Sequence, residues 1–399
     1  MRESGVALPA ENRVWLDLPG TRVVLASDDA RLLAEVRHAW ARCLSSTPQS
    51  STDEPALLPE ELERLTTGDG QLLATRLTAE AIAASKGRRL MFHAAGLCDP
   101  HGRVVALVGP SAAGKTTAAS HLGAAGFGYV TDELLVVDLD GHVTPFPRPL
   151  FAHDSQSGVD SKRRRSPDDL GLGNCPPGPR LSRLLLLRRS PGATTQARLE
   201  PVLLIDGLLE LIPQTSALVA LDQPLQRLCG LVEVCGGVQR LVYTEILDAR
   251  EVVAASLSAL PVMAVESWVD PGGRPQPEGS VAWGIMDGKV RRAPYRDAIQ
   301  VDDEALVLVG DIPIRLAGIG LTIWLLAAEA PGMALLVEKV VEEHGPHQEA
   351  EALVRDAVTS LAAAKVVGYS LPRPLLRPAS QESVAAVPAP PGGVYPELQ

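Results

Sequence analysis

The stretch GPSAAGKT, from Gly109 to Thr116, is the feature that most restricts what this chain can fold into. It fits the pattern G-x-x-x-x-G-K-[ST], in which glycines let the backbone turn so that successive N–H groups point at phosphate oxygens. The apolar run VVALV precedes it, and TTAASHLGAAG after it favours a helix, an order typical of α/β folds. The alternative is a tight strand-to-helix turn without a ligand. The expected nucleotide-binding residues are Gly109, Pro110, Ser111, Ala112, Ala113, Gly114, Lys115, Thr116 and Thr117.

Two side chains of this loop suit a bound triphosphate and its metal ion. Lys115 supplies positive charge at the β and γ phosphates, and the Thr116 hydroxyl can ligate Mg²⁺. ATP and Mg²⁺ are therefore the expected cofactors.

A pair of acidic residues follows in GYVTDELLVVD, where we expect a short strand that carries Asp132 and Glu133. Parallel neighbouring strands end at the same edge of a sheet, so these carboxylates are expected to face the loop. One would hold Mg²⁺ and the other would accept a proton from a hydroxyl nucleophile. The alternative is a solvated turn.

Two further candidates are a histidine and an arginine. His93, in LMFHAAGL, lies on the strand before the loop and is either a satisfied core or edge residue or a functional one. Arg148, in TPFPRPLF, is either a phosphate clamp or a surface arginine.

The rest of the chain is expected to be mixed α/β. In the N-terminal region, TRVVLAS and QLLATRL are predicted strands, and DDARLLAEVRHAWARCL and TAEAIAASKG are predicted helices. RLMFHAAGLCD and GRVVALVG are predicted strands joined by a turn, and RLLLLRR is a predicted buried strand. Residues 152–180 are expected to be a long loop that is functional or disordered. Its KRRR run would close over a substrate or remain solvated.

A Pro/Gly-rich connector, VDPGGRPQPEGS, suggests a domain boundary. The expected divisions are 1–88, 89–268, a linker at 269–295, a small α+β unit at 296–370, and a Pro-rich disordered tail at 371–399. In the small unit, AIQVDDEALVLVG predicts two strands around an Asp-Asp turn, with three helices after them. Apolar spacing defines the second and third helices through Leu336, Val337, Val340, Val341, Leu353, Val354, Ala357, Val358 and Leu361.

Composition excludes several classes of partner. The net charge of −11 is opposite to the basic footprint of a general nucleic-acid binder. The five cysteines are odd in number and form no C-x-x-C pair, which favours a reduced cytosolic setting. The first residues do not form the pattern of a signal peptide, and the apolar run LTIWLLAAEA is too short to span a bilayer. A cytoplasmic protein without a membrane partner is expected.

The segment from RLMFHAAGL to TPFPRPL resembles the HPr kinase/phosphorylase superfamily, especially its HPr-kinase-related branch found in biosynthetic gene clusters. That fold also resembles phosphoenolpyruvate carboxykinase. The resemblance implies that His93 is the histidine one strand before the loop and that Asp132 is the general base for a seryl hydroxyl. It also implies that Thr116 and the acidic pair, with Glu133, hold Mg²⁺. Together with Lys115 of the loop and Arg148 as a candidate phosphate clamp, the candidate catalytic residues are Asp132, His93, Lys115 and Arg148.

This chain departs from that family in two ways. The second acid is commonly Asp, whereas Glu133 stands here, and the C-terminal signature of the bifunctional enzymes is not found. The reverse phosphorolysis is therefore not part of the expectation.

Residues 296–370 look like the PqqD-like winged-helix module, which recognises leader peptides of ribosomally made natural products. The family resemblance implies that Gly320 to Trp324 open the first helix and that the strands offer an edge to an extended peptide. The alternative is a winged helix used for packing or dimerisation.

Together these patterns predict an ATP-dependent kinase of the Ser/Thr hydroxyl of a peptide or small protein, for which a natural-product precursor is one candidate. A small hydroxylated metabolite as the acceptor is an alternative within enzymes. A nucleotide-binding scaffold without transfer chemistry is an alternative from another class. A homo-oligomer is compatible with either.

Overall fold

The computed structural model describes residues 10–46, 57, 59–67, 70–153, 162–190, 196–259, 266–272 and 288–369. The predicted tail at 371–399 and most of the predicted linker lie outside these ranges. The α-helices are α1 (Ala30–Ala39), α2 (Pro59–Thr66), α3 (Gln71–Ser85), α4 (Lys115–Ala124), α5 (Leu204–Leu211), α6 (Pro224–Val234), α7 (Arg250–Ser258), α8 (Gly318–Leu326), α9 (Met333–His344) and α10 (Ala350–Ala363).

The strands before α5 are β1 (Arg13–Leu18), β2 (Thr21–Ala26), β3 (Leu90–Cys98), β4 (Arg103–Val108), β5 (Gly128–Thr131), β6 (Leu134–Val137), β7 (Val143–Thr144), β8 (Leu150–His153), β9 (Lys162–Arg165), β10 (Arg180–Arg189) and β11 (Arg198–Val202). Those after it are β12 (Val238–Tyr243), β13 (Val290–Arg292), β14 (Asp297–Val301), β15 (Glu304–Val309), β16 (Ile312–Ala317) and β17 (Val367–Tyr369). Short 3₁₀ helices cover Ala10–Asn12, Ala41–Cys43, Ile212–Gln214, Leu218–Ala220, Ile246–Ala249 and Ala327–Glu329.

A mixed sheet of eight strands lies at the centre, in the order β11-β12-β10-β4-β3-β6-β7, with β5 also paired to β3. Strand β10 runs parallel to both β4 and β12. Strand β3 runs antiparallel to β4, β5 and β6, so those three strands share one direction. With helices packed on it, this sheet confirms a mixed α/β fold.

Both faces of the central sheet are covered. On β4, Val104 and Ala106 face one apolar core and Val105 and Leu107 face another, as the two-residue period of a strand requires. Helices α5 and α6 contribute to the first core, and α4 contributes to the second. Strands buried on both faces are expected to be almost continuously apolar, and β3 apart from His93 and β4 after Arg103 fit that pattern.

The N-terminal region packs against the end of the sheet that carries β3 and β6. Its apolar core includes Met91 and Leu134 from those strands. The prediction of a strand at QLLATRL is wrong, because residues 71–85 form one helix, α3. Leu73, Leu77 and Ala81 are fully buried and lie four residues apart, which is the spacing of one face of a helix. The seven residues QLLATRL are too few to show that spacing.

The prediction of a structureless loop over residues 152–180 is wrong in part. Strand β9, which contains the KRRR run, pairs antiparallel with β8. After β9 the chain is held by Arg42, which donates to the carbonyl oxygens of Leu172 and Gly173 and pairs with Asp168. These partners are distant in sequence, so no local pattern could indicate them. Residues 154–161 lie outside the described ranges.

The C-terminal unit contains the sheet β14-β15-β16, helices α8 to α10 and the pair β13-β17. The two strands around the Asp302–Asp303 turn and the three helices are confirmed. Strand β16 was not predicted. One sheet face, including Val307, packs on the unit's own helices, and the other, including Leu306, joins the core under α5 and α6. The unit is therefore packed directly on the central part of the chain.

In the described part of the chain, no helix combines the length and the apolar character needed to cross a bilayer.

Asp297 joins the C-terminal unit to α6. Its side chain is buried, and its Oδ2 accepts from the backbone N–H of Leu225 at 2.7 Å and of Gln226 at 3.1 Å, in the first turn of α6. Asp297→Ala is expected to lower the free energy of unfolding by about 2–3 kcal/mol, because buried donors lose their acceptor. Denaturant unfolding measures this. The control, exposed Asp303→Ala, is expected to stay within about 0.5 kcal/mol of the parent, and equal midpoints for the two variants would contradict the prediction.

Candidate functional site

The phosphate-loop motif occupies the turn between β4 and α4, as predicted. Strand β4 ends at Val108 and α4 begins at Lys115. Gly114 has a φ of +92°, in the left-handed region that glycine favours. A Cβ added to Gly109 would lie 2.8 Å from the Cβ of Ala113, which is too close for any side chain. Both glycines of the motif are therefore required by the backbone path.

The loop ends on the N-terminus of α4, where the first amide N–H groups have no partner within the helix and attract anions. Lys115 Nζ lies across the loop and donates to the carbonyl oxygens of Gly109 at 2.7 Å and Pro110 at 3.0 Å. Burial lowers the pKa of Lys115, while Glu133 and Asp132 oppose that shift. Amide donors and an ammonium group around one turn are the chemistry that a phosphate chain requires.

Strand pairing brings the acidic pair to the same edge of the sheet as the loop. Ala94 of β3 is the partner of Val108, the last residue before the loop. On its other side, the Ala94 N–H donates to the carbonyl oxygen of Glu133 at 3.3 Å. The two carboxylates thus lie level with the start of the loop, one strand away.

Two details of the predicted placement are wrong. Asp132 and Glu133 do not lie on one strand, because β5 ends at Thr131 and β6 begins at Leu134. The Thr131 hydroxyl accepts from the backbone N–H of both Glu133 and Leu134 at 3.4 Å, which accounts for the break. The strands are also not neighbours of β4, since β3 lies between them.

Asp132 is the buried member of the pair, with 2% of its surface exposed. Its Oδ2 accepts from the Thr116 hydroxyl at 3.0 Å, and its Oδ1 lies 3.3 Å from the Tyr129 hydroxyl. Burial raises the pKa of Asp132, and the nearby Arg148 charge opposes that shift. Asp132 is thus linked to the first turn of α4 through the residue that the motif assigns to the metal.

Glu133 is the accessible member. Its side chain is 38% exposed, and its Oε1 lies 3.3 Å from Nδ1 of His93, whose side chain is 41% exposed. The contact with His93 is the largest cause of a lowered pKa for Glu133. The lowered pKa makes Glu133 a weaker base than an unperturbed glutamate, but its exposure makes it the member of the pair that a molecule outside the protein can reach.

Arg148 is buried, with 6% of its surface exposed, which excludes the surface alternative. Its Nε lies 3.6 Å from Asp132 Oδ1, and its Nη1 donates to the Thr78 hydroxyl at 3.0 Å. The guanidinium carbon is 5.7 Å from the centre of the Phe151 ring. This arginine therefore lies beside Asp132, the buried acid of the pair.

Three residues around the site were missed from the sequence. Tyr129 contacts Asp132, Tyr243 donates to the Ala113 carbonyl at 3.3 Å, and Thr78 contacts Arg148. Tyr129 lies three positions before Asp132, so its proximity had a local signal. Thr78 and Tyr243 had none, because α3 and β12 reach the site only through tertiary packing.

The oxygen atoms around Thr116 suit Mg²⁺. A hydroxyl and a carboxylate are hard ligands, and they lie within 3.0 Å of each other. The described ranges contain no group of three or more His, Cys, Asp or Glu side chains arranged for a metal ion. Magnesium commonly binds through one or two carboxylates and takes its other ligands from phosphate oxygens and water, so Thr116 and Asp132 fit a metal that arrives with a nucleotide.

A scan against protein-family models gives no match, and a search of the curated proteins gives none either.

Proposed function

We propose that this chain is an ATP-dependent kinase of HPr-kinase-like type, which transfers the γ-phosphoryl group to a Ser or Thr hydroxyl. The observation that carries this proposal is the hydrogen bond between Thr116 and the buried Asp132. It joins an acidic pair to the first turn after a phosphate loop, and phosphoryl transfer requires positioning, charge neutralisation and a base in one place. A nucleotide-binding scaffold would have no use for the second, accessible acid beside the first.

Within this proposal the geometry favours a different division of roles from the one that the family resemblance implies. Asp132 is enclosed by Thr116, Tyr129 and Arg148, so an acceptor hydroxyl cannot easily approach it. We therefore assign Asp132, with Thr116, to Mg²⁺, which would neutralise charge on the phosphates. Glu133, supported by His93, would take the proton of the acceptor hydroxyl as its oxygen attacks the γ-phosphorus and ADP leaves.

A peptide acceptor is supported by the C-terminal unit, which we propose to be the PqqD-like winged helix. Strand β16 is the last strand of its sheet, and no strand of the described ranges pairs with its outer edge. An edge of this kind can pair with an extended peptide through main-chain hydrogen bonds. Pro313 lies in β16 and supplies no N–H, so any such pairing would depend on the rest of the strand.

The experiment that tests the kinase has two parts. Calorimetry with ATP, in Mg²⁺ and in EDTA, is expected to show nucleotide affinity that increases with the metal. Incubation with γ-labelled ATP and either Ser/Thr peptides or small hydroxylated compounds is then expected to label the peptides. Labelling of the small compounds alone would support a metabolite kinase, and binding without transfer to any acceptor would support a scaffold. A chain with no magnesium-dependent affinity for ATP would refute the proposal.

A further inference from the structure

The N-terminal region contributes a residue to the surroundings of the acidic pair. Helix α3 packs in the same apolar core as Met91 of β3 and Phe151 of β8. Thr78, on α3, is buried, and its hydroxyl donates to the carbonyl oxygen of Ala74 at 2.8 Å. A hydroxyl has one proton, so this bond fixes its rotation and leaves its oxygen lone pairs free to accept.

Arg148 uses that acceptor. Its Nη1 donates to the Thr78 hydroxyl at 3.0 Å, while its own carbonyl oxygen lies 3.0 Å from the Tyr129 hydroxyl. Both ends of the residue are therefore anchored, the side chain by α3 and the main chain by β5.

The Nε of Arg148 is held close to Asp132 without a hydrogen bond to it. The Nε is buried and has no hydrogen-bond partner among the described residues, and it lies 3.6 Å from Asp132 Oδ1. A buried cation and anion at that distance attract strongly, and a shorter contact would satisfy the donor. At this distance from Asp132, the same guanidinium is bonded to Thr78 through Nη1.

We infer that Thr78 is a positioning residue, which keeps Arg148 in place so that the Asp132 carboxylate stays with Thr116 and remains able to hold Mg²⁺. Without the Thr78 hydroxyl, Arg148 Nη1 would lose its acceptor, and the guanidinium would be free to turn towards Asp132, whose Oδ1 lies 3.6 Å from Nε. The carboxylate would then be drawn towards Arg148 and away from Thr116. This inference rests on the proposed binding of ATP with Mg²⁺. Through Thr78, the N-terminal region would then help to position the metal-binding carboxylate.

The test compares the affinity for ATP in Mg²⁺ with the affinity in EDTA, since the ratio isolates the contribution of the metal. Thr78→Val keeps the side-chain shape and removes the hydroxyl, and it is expected to lower that ratio about 10-fold, the effect typical of a residue that orients a metal ligand. Thr78→Ser restores the hydroxyl and is expected to restore the ratio. The matched control is Thr75→Val on the same helix, because Thr75 is exposed and its hydroxyl, like that of Thr78, donates to the carbonyl oxygen four residues earlier, that of Gln71.

A combined variant separates a positioning role from a general loss of structure. In an Arg148→Met background, Thr78→Val is expected to have no further effect on the ratio, because the residue through which it acts is gone. Thermal unfolding without nucleotide shows whether each variant folds, and Thr78→Ala replaces Thr78→Val if that variant does not. The inference would be overturned if Thr78→Val had the same affinity ratio as the parent protein, or if Thr78→Ser did not restore that ratio. It would also be overturned if Thr78→Val lowered the ratio further in the Arg148→Met background. Absence of ATP binding by the parent protein would instead refute the proposed kinase.

Discussion

Lys115→Met is expected to lower the rate of phosphoryl transfer by about 100- to 1000-fold, the usual effect of removing one preorganised group that stabilises transition-state charge. Lys115 is the ammonium group that lies across the phosphate loop, bonded to the carbonyl oxygens of Gly109 and Pro110. Methionine keeps the length of the side chain and removes the charge. Initial rates of ADP formation at saturating acceptor measure the change, and calorimetry shows how much affinity for ATP is lost with it.

A second lysine provides the control for this substitution. Lys339 on α9 is exposed and pairs with Glu342, so Lys339→Met is expected to leave both the rate and the ATP affinity at the parental values. The Lys115→Arg variant is expected to be almost as inactive as Lys115→Met, because a planar guanidinium does not replace a compact ammonium inside a tight turn. If Lys115→Met turned over ATP as fast as the parent, the phosphate loop would not be the site of transfer.

The acidic pair gives the other large expected effect, and here the two positions should behave differently. Glu133→Gln is expected to keep magnesium-dependent binding of ATP and to lower transfer to the acceptor about 100- to 10,000-fold, as the loss of a general base does. Asp132→Asn is expected to remove most of the gain in ATP affinity that Mg²⁺ provides, since a neutral amide is a poorer ligand for a hard cation. Calorimetry in Mg²⁺ and in EDTA, with single-turnover transfer rates, separates the two.

Asp138→Asn is the control for both acidic variants. Asp138 directly follows β6 and pairs with Arg89, away from the loop, so neither binding nor transfer is expected to change. If Asp132→Asn instead kept the gain in ATP affinity from Mg²⁺ and lost only phosphoryl transfer, Asp132 would be the general base, as the family resemblance implies. That role would also require the buried Asp132 to open towards solvent during the reaction.

The parts of the site that were predictable are those that repeat a local pattern. The glycine spacing from Gly109 to Gly114 describes a turn whose backbone admits few other residues, so the loop and the start of α4 follow from the sequence. The alternation of apolar residues along β4, and the turn before it, are local in the same sense. His93 and the acidic pair could be nominated because they flank this loop on the neighbouring segments.

The errors have a common physical origin. The run QLLATRL is compatible with a strand when considered alone, and only the burial of Leu73 and Leu77 against the sheet shows that it belongs to a helix. Strand β16 was not predicted because it is mostly exposed and lacks a buried apolar stretch, with Ile312 62% accessible. The break between β5 and β6, which contains both Asp132 and Glu133, depends on a single hydroxyl, that of Thr131, which offers the backbone an alternative to strand pairing.

By itself, the sequence determined that a strand, a phosphate loop and a helix form one unit, and which acidic and basic residues were available near it. Tertiary structure alone decided which acid is buried beside Thr116 and which is exposed beside His93. It also decided that α3 brings Thr78 to Arg148. The reason is that burial and charge pairing arise from contacts between segments far apart in the chain, as in the seventy residues between Thr78 and Arg148. Local composition does not encode such contacts.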